Sequence, residues 1–277
     1  MTTSDGVLSD PSGALVIKPC TAREVTFYES ATAHPEFARW MPTFFGTLQL
    51  NDSVEEATSG APAHNRQSSI VLQNLTKGFL KPCVLDIKLG AQLWDDEAPQ
   101  DKRDRLDKVS DATTSRSLGF RVAGMRVWKG EGPGYRAYDK LYGRTFTAET
   151  VLETLKEYLA SDISAEQAKV LAARFLESVT EIREVLEKQE SRMYSASLLF
   201  VHEGDGAALD AALEAEKTRV EKPLSEDDDD EDEVEVAKAT ELKLIDFAHA
   251  EWTPGLGPDE NALQGVRSVE KLLQELI

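Results

Sequence analysis

Nine of the ten residues in 226–235, EDDDDEDEVE, are acidic and none is basic. Carboxylates at that density repel one another and have no apolar side to bury, so the run cannot belong to a packed element. It lies between two stretches that read as strands, residues 194–202 and 241–247. The chain must fold around it. This predicts an acidic, disordered loop over about 205–239, inserted between strands of one sheet rather than marking a domain boundary. Solvation is one role for such a run, and docking of a basic partner protein is the other.

Without that run the net charge of −19 falls to −10, and the remaining charge is uneven. Residues 77–144 hold 14 Lys or Arg against 10 Asp or Glu. An acidic protein with one basic segment repels nucleic acid everywhere else, so a small anionic ligand suits it better than a long polyanion. Charge alone also allows ordinary solvated surface. No apolar run approaches the ~20 residues of a membrane span, and the first residues do not read as a secretory signal. Two cysteines, Cys20 and Cys83, make no disulfide framework, which points to a reducing compartment.

The 277 residues suit one large domain or two small lobes. Residues 13–29 start as an alternating strand and turn helical around 22–28. Residues 68–75, 83–89 and 119–127 read as further strands. Thr147 is placed to cap a helix over 147–159. Ser164 with Gln167 makes a capping box for a long helix to about Gln189, with Leu171, Phe175, Val179, Ile182 and Leu186 along one face. A last helix runs from about Glu260. Strands early, helices in the middle, a strand pair and a closing helix predict an α+β fold with a small N-terminal and a larger C-terminal lobe.

Three stretches carry polar groups that strand patterning does not require. In PCVLDIKLG, residues 82–90, Asp86 and Lys88 are two apart and leave a strand on the same face, where an acid and a base can orient a hydroxyl and stabilise a phosphoryl group. A surface salt bridge is the alternative reading. In LKLIDFAHA, residues 242–250, Asp246 ends an apolar strand as magnesium-binding aspartates of phosphotransferases do, with His249 three residues on. In SASLLFVHEGD, residues 195–205, strand hydroxyls could meet Asp246 if the two strands pair. Walker loops, dinucleotide fingerprints, nucleophile elbows, paired-cysteine zinc patterns and the H-R-D of protein kinases are absent.

Taken together, PCVLDIKLG, SLLF at 197–200 and IDFAHA at 245–250 resemble the inositol polyphosphate kinase family, with its P-x-x-x-D-x-K-x-G, S-L-L and I-D-F motifs in the same order and spacing. The resemblance runs from about Leu15 to the last helix, and residues 101–128 are most similar to the fungal multikinase branch. It implies a single two-lobed kinase domain over 1–277, distantly protein-kinase-like, with N-lobe and hinge over about 13–80, C-lobe over about 81–277 and a substrate-binding segment over about 95–112. It implies that Lys18 contacts ATP phosphates and that Gln73, Asn74 and Leu75 form the adenine hinge. Asp86 then either positions nucleotide or activates the attacking hydroxyl, and Lys88 bridges substrate and the transferring phosphoryl group. Asp246 binds ATP through Mg2+ with Ser197 assisting, while Lys102, Arg105, Lys108 and His249 bind inositol phosphate. The implied activity is ATP- and Mg-dependent phosphorylation of inositol trisphosphate to tetrakis- and pentakisphosphate. Alternatives are pyrophosphate synthesis by an inositol hexakisphosphate kinase, or a scaffold role beside transcription-regulatory proteins. Nucleus and cytoplasm are the implied compartments.

Overall fold

The computed structural model describes residues 6–49, 68–221 and 236–277. Near the N-terminus, β1 (Leu8–Ser9), β2 (Leu15–Pro19), β3 (Phe44–Gln49) and β4 (Ser68–Gln73) form an antiparallel sheet in the order β1-β2-β4-β3. Helix α1 (Ala22–Ser30) starts at Thr21, whose hydroxyl accepts the Glu24 N–H. Its Glu24, Phe27 and Tyr28 share one buried face, as spacings of three and four dictate. The short helix α2 (Pro35–Ala38) follows.

The larger lobe is built on β5 (Pro82–Leu89), the middle strand of a five-stranded antiparallel sheet. On one side lie β9 (Ser197–Glu203) and β10 (Thr240–Ile245), on the other β6 (Phe120–Trp128) and β7 (Tyr135–Tyr138). Cys83, Leu85, Ile87 and Leu89 are buried, while Val84, Asp86 and Lys88 alternate with them on the more open face. Helices α3 (Gln100–Asp111), α4 (Thr114–Leu118), α5 (Lys140–Gly143) and α6 (Leu152–Leu159) flank this sheet's connections. Helix α7 (Ala165–Leu186) has the expected capping box and buries all five residues of its stripe, each contributing roughly 1.5–3 kcal/mol. After β8 (Ser191–Met193), which pairs with β11 (Ala250–Trp252), the chain ends in α9 (Glu260–Gln274), packed on α7. Among the described residues no helix is long and apolar enough to cross a membrane.

Two expectations change. The stretch 205–239 is not all loop: α8 (Gly206–Glu221) occupies its first half, with Leu209 and Ala212 buried. Glu216 accepts the Ala239 N–H at 3.2 Å, so the stretch folds back on itself. The acidic run 226–235 lies outside the described residues. Thr147 caps no helix directly. It closes a turn with Thr150 and Val151, and α6 begins at Leu152.

Candidate active site

The register of the large sheet aligns the polar positions of three strands. Lys88 on β5 stands opposite Ser197 on β9, and Ser197 stands opposite Ile245, the last residue of β10. Asp246 follows at once. A bulge against β6, where Asp86 faces Gly124 but Ile87 faces Val122, breaks the pairing beside Asp86; such bulges re-aim side chains next to active sites.

Lys18 crosses from the N-terminal sheet into this row. Its Nζ lies 2.7 Å from Asp246 Oδ1 and 2.9 Å from Oε1 of the buried Glu24. Glu24 reaches it because α1 is held against the Asp246 turn by Phe27, stacked on Phe247 with centroids 5.0 Å apart. Lys88 Nζ donates to the Ser195 carbonyl at 2.7 Å and lies 3.5 Å from Asp246 Oδ2. Ser195 and Asp246 have φ of 60° and 67°, the only positive values among the described non-glycine residues. Both strained residues hold Lys88, as expected where geometry matters more than backbone comfort.

The electrostatics follow from burial and charge. Burial works against ionised Asp246, but Lys88 and Lys18 outweigh it and hold its pKa below the ordinary value. Burial would likewise lower Lys18, yet Asp246 and Glu24 leave its pKa raised. Asp86 goes the other way: burial raises its pKa, Lys88 offsets part of that, and Asp246 adds to the rise. Its Oδ1 and the Ser197 Oγ are sealed from solvent and make no hydrogen bond of good geometry, although the Ser197 hydroxyl is close enough to pull the Asp86 pKa down. Orphaned buried oxygens of this kind are rare and fit a site completed by a ligand.

A second group adjoins the first. His249 Nδ1 is 2.6 Å from Oδ2 of the buried Asp95, and Arg23 reaches the same oxygen at 3.3 Å. His249 and Arg23 outweigh the effect of burial and hold the Asp95 pKa low, and Lys102 of α3 adds to this. Lys102 is half-buried there, while Arg105 and Lys108 are exposed on α3 with no ion pair among the described residues. The residues expected to form a hinge make their bonds elsewhere. Gln73 and Asn74 give their N–H groups to Thr43 and Ala14 carbonyls, and Leu75 is buried with no acceptor at its N–H among the described residues.

The structure therefore brings together Lys18, Asp86, Lys88, Ser197 and Asp246, sets His249 and Lys102 around Asp95, and leaves Arg105 and Lys108 on a helix surface. Sequence reasoning missed Glu24, Asp95 and Arg23, and it looked to the hydroxyl of Ser195, which bonds the Leu93 carbonyl, rather than to the carbonyl that holds Lys88. Only Glu24 carried a local signal, three residues after a capping Thr21.

The family model for inositol polyphosphate kinases matches residues 69–274. The chain belongs to the inositol polyphosphate kinase family. Its relatives within that family include the inositol polyphosphate multikinase of Saccharomyces cerevisiae, 31% identical over 96% of this chain and 93% of that protein. The multikinase of Schizosaccharomyces pombe is 32% identical over 95% of this chain and 90% of its own length. The crystal structure of the S. cerevisiae inositol phosphate multikinase in complex with ADP and Mn2+ superposes with a TM-score of 0.75 at 32% identity, covering 95% of this chain and 99% of that one. The two-lobed α+β fold of the family is thus the fold of this kinase.

Proposed function

We propose that this protein transfers the γ-phosphoryl group of ATP to hydroxyls of inositol polyphosphates, converting inositol trisphosphate to tetrakis- and pentakisphosphate. The observation that carries the reading is the convergence of Lys18, Lys88 and Asp246 from both lobes, in a chain of this family.

Among the described residues no three His, Cys, Asp or Glu side chains gather to hold a metal. That fits magnesium, which takes one or two carboxylates and completes its shell with phosphate oxygens and water. Asp246 would hold it, with the orphaned Ser197 hydroxyl and Asp86 oxygen as neighbouring donors. When bound, the ion neutralises charge building on the ATP phosphates.

The remaining work falls to the chain's own residues. Lys18, pinned between Glu24 and Asp246, offers a fixed charge to the nucleotide phosphates, and Leu75 offers a backbone donor to adenine. Lys88, tethered by the Ser195 carbonyl, faces the phosphoryl group in transfer. Asp86, with its raised pKa, accepts the proton of the attacking hydroxyl. Lys102, Arg105, Lys108 and His249 hold the ring phosphates, because a ring bearing several phosphates needs several cations. On the family resemblance alone we extend the proposal to transcription-regulatory partners and to nucleus and cytoplasm as compartments.

The test is to incubate the purified protein with magnesium, ATP and inositol trisphosphate and to separate the products by chromatography. Tetrakis- and pentakisphosphate are expected. Asp246→Asn should abolish both products while keeping a near-native melting temperature, since an amide no longer supplies the charge that holds the cation. ADP release without any phosphorylated inositol would sink the reading.

A further inference from the structure

Two arginines at the edge of this site are used by nothing described so far. Arg121 on β6 stands directly opposite Lys88 on β5, so both side chains leave the sheet on one face. It is half-buried, and its hydrogen bond goes to a neutral group, the Ser115 hydroxyl, at 3.1 Å. Arg144 follows α5. That helix is pressed onto β6 at Gly143, where a Cβ would lie 2.0 Å from the Val122 carbonyl oxygen. No larger residue fits there, so the contact fixes Arg144 on the flank of Arg121.

The pairing is costly as it stands. Burial and the nearby Arg144 guanidinium both lower the Arg121 pKa, and only Asp86 pulls the other way. Among the described residues neither arginine forms an ion pair. Of the other half-buried arginines, Arg23, Arg174 and Arg183 meet carboxylates, while Arg103 and Arg192 are tied to backbone carbonyls and Arg126 lies over the Tyr135 ring; Arg121 has only the Ser115 hydroxyl among the described residues. The Lys88–Arg121 register and the packing of Gly143 on Val122 put Arg121 and Arg144 on the same side of the sheet as Lys88, and among the described residues neither has an ion-pair partner, which leaves positive charge there for an anion from outside.

We propose that Arg121 and Arg144 form a phosphate subsite beside Lys88 that holds a ring phosphate of the inositol polyphosphate. Two planar forks converging on one phosphate turn mutual repulsion into paired charge-assisted hydrogen bonds. The subsite rests on the kinase reading. ATP also carries phosphates, so the experiment separates the two sources.

Inositol trisphosphate is titrated by calorimetry into the full chain saturated with magnesium and a non-hydrolysable ATP analogue, so that turnover plays no part. Wild type is compared with Arg144→Gln and with the double variant Arg121→Gln/Arg144→Gln. A charge-assisted contact contributes enough that one loss weakens binding about tenfold and two about a hundredfold. Affinity for the ATP analogue stays within about twofold of wild type. Unchanged inositol trisphosphate affinity in both variants, with wild type binding normally, overturns the subsite and spares the kinase. A loss that falls on the ATP analogue overturns it too. If wild type binds no inositol trisphosphate, the kinase reading fails and takes the subsite with it. Arg144 is exposed, so the single variant decides should the double variant fail to fold.

Discussion

Burial raises the Asp86 pKa, and the attraction of Lys88 recovers only part of that cost. In the unfolded chain the same carboxyl titrates near pH ~3.9. Between that value and its higher native value, the folded state binds more protons than the unfolded one, so stability falls as pH rises through the window. Asp86→Asn removes this term. Its melting temperature should match wild type near pH ~4 and exceed it increasingly toward neutral pH, while kcat drops on the order of a hundredfold or more. Paired melts and assays across that range check both parts. A variant less stable than wild type at neutral pH would mean that ionised Asp86 supports the fold. Asp246 has the opposite sign: its lowered pKa contributes stability above the unfolded value that is lost in acid.

Helix α3 sorts its own cations by what they touch. Arg103 donates to the Ala98 and Asp96 carbonyls and lies over the Trp94 ring, 4.7 Å from its centroid, so it anchors the helix. Among the described residues Arg105 and Lys108 have no such ties and Lys102 has the attraction of nearby Asp95, which leaves most of their charge for a ligand. Changing these three to Ala should raise KM for inositol trisphosphate by well over about tenfold and leave KM for ATP nearly unchanged. The matched control is Lys169, Lys188 and Lys271, three exposed bases on and after the C-lobe helices. Steady-state kinetics of both triple variants decide it, and equal behaviour would make α3 ordinary solvated surface. The helix itself was illegible beforehand, because its twelve residues, QDKRDRLDKVSD, carry too few apolar side chains to show a stripe.

The whole molecule carries −19, nine charges of it in residues 226–235, and both proposed substrates are anions. The flanks of that run are docked, through Glu216 to Ala239 and through the Lys238 N–H to the Gly78 carbonyl. Replacing its nine carboxylates by the matching amides should leave the melting temperature within a few degrees, since such a run has little apolar surface to lose. It should raise kcat/KM severalfold at about 20 mM ionic strength, with the two proteins converging at high salt as the field is screened. Rate measured against ionic strength is the readout, and coincident curves would show that the field of the run does not reach the site. A large fall in melting temperature would show the run packed against the domain.

The amino-acid sequence by itself determined what depends on near neighbours. Alternation over 82–89 makes a strand and puts Asp86 and Lys88 on one face whatever surrounds them, because the side-chain period of a strand is two. Ser164 with Gln167 starts α7 by bonding only across its own first turn. The motif order 82–90, 197–200 and 245–250 made the family legible, and it named Asp86, Lys88, Ser197 and Asp246, which the fold brings together as a candidate site. Tertiary structure alone decided the partners. Lys18 and Asp246 are 228 residues apart, and His249 finds Asp95 at a separation of 154. The left-handed turns at Ser195 and Asp246, the hydrogen bonds from Gln73 and Asn74 to Thr43 and Ala14, and the pairing of Arg121 with Lys88 across β5 and β6 likewise depend on which strands and turns meet. Propensity, periodicity and capping act over a few residues. Burial and ion pairing act between segments that only the completed fold brings into contact.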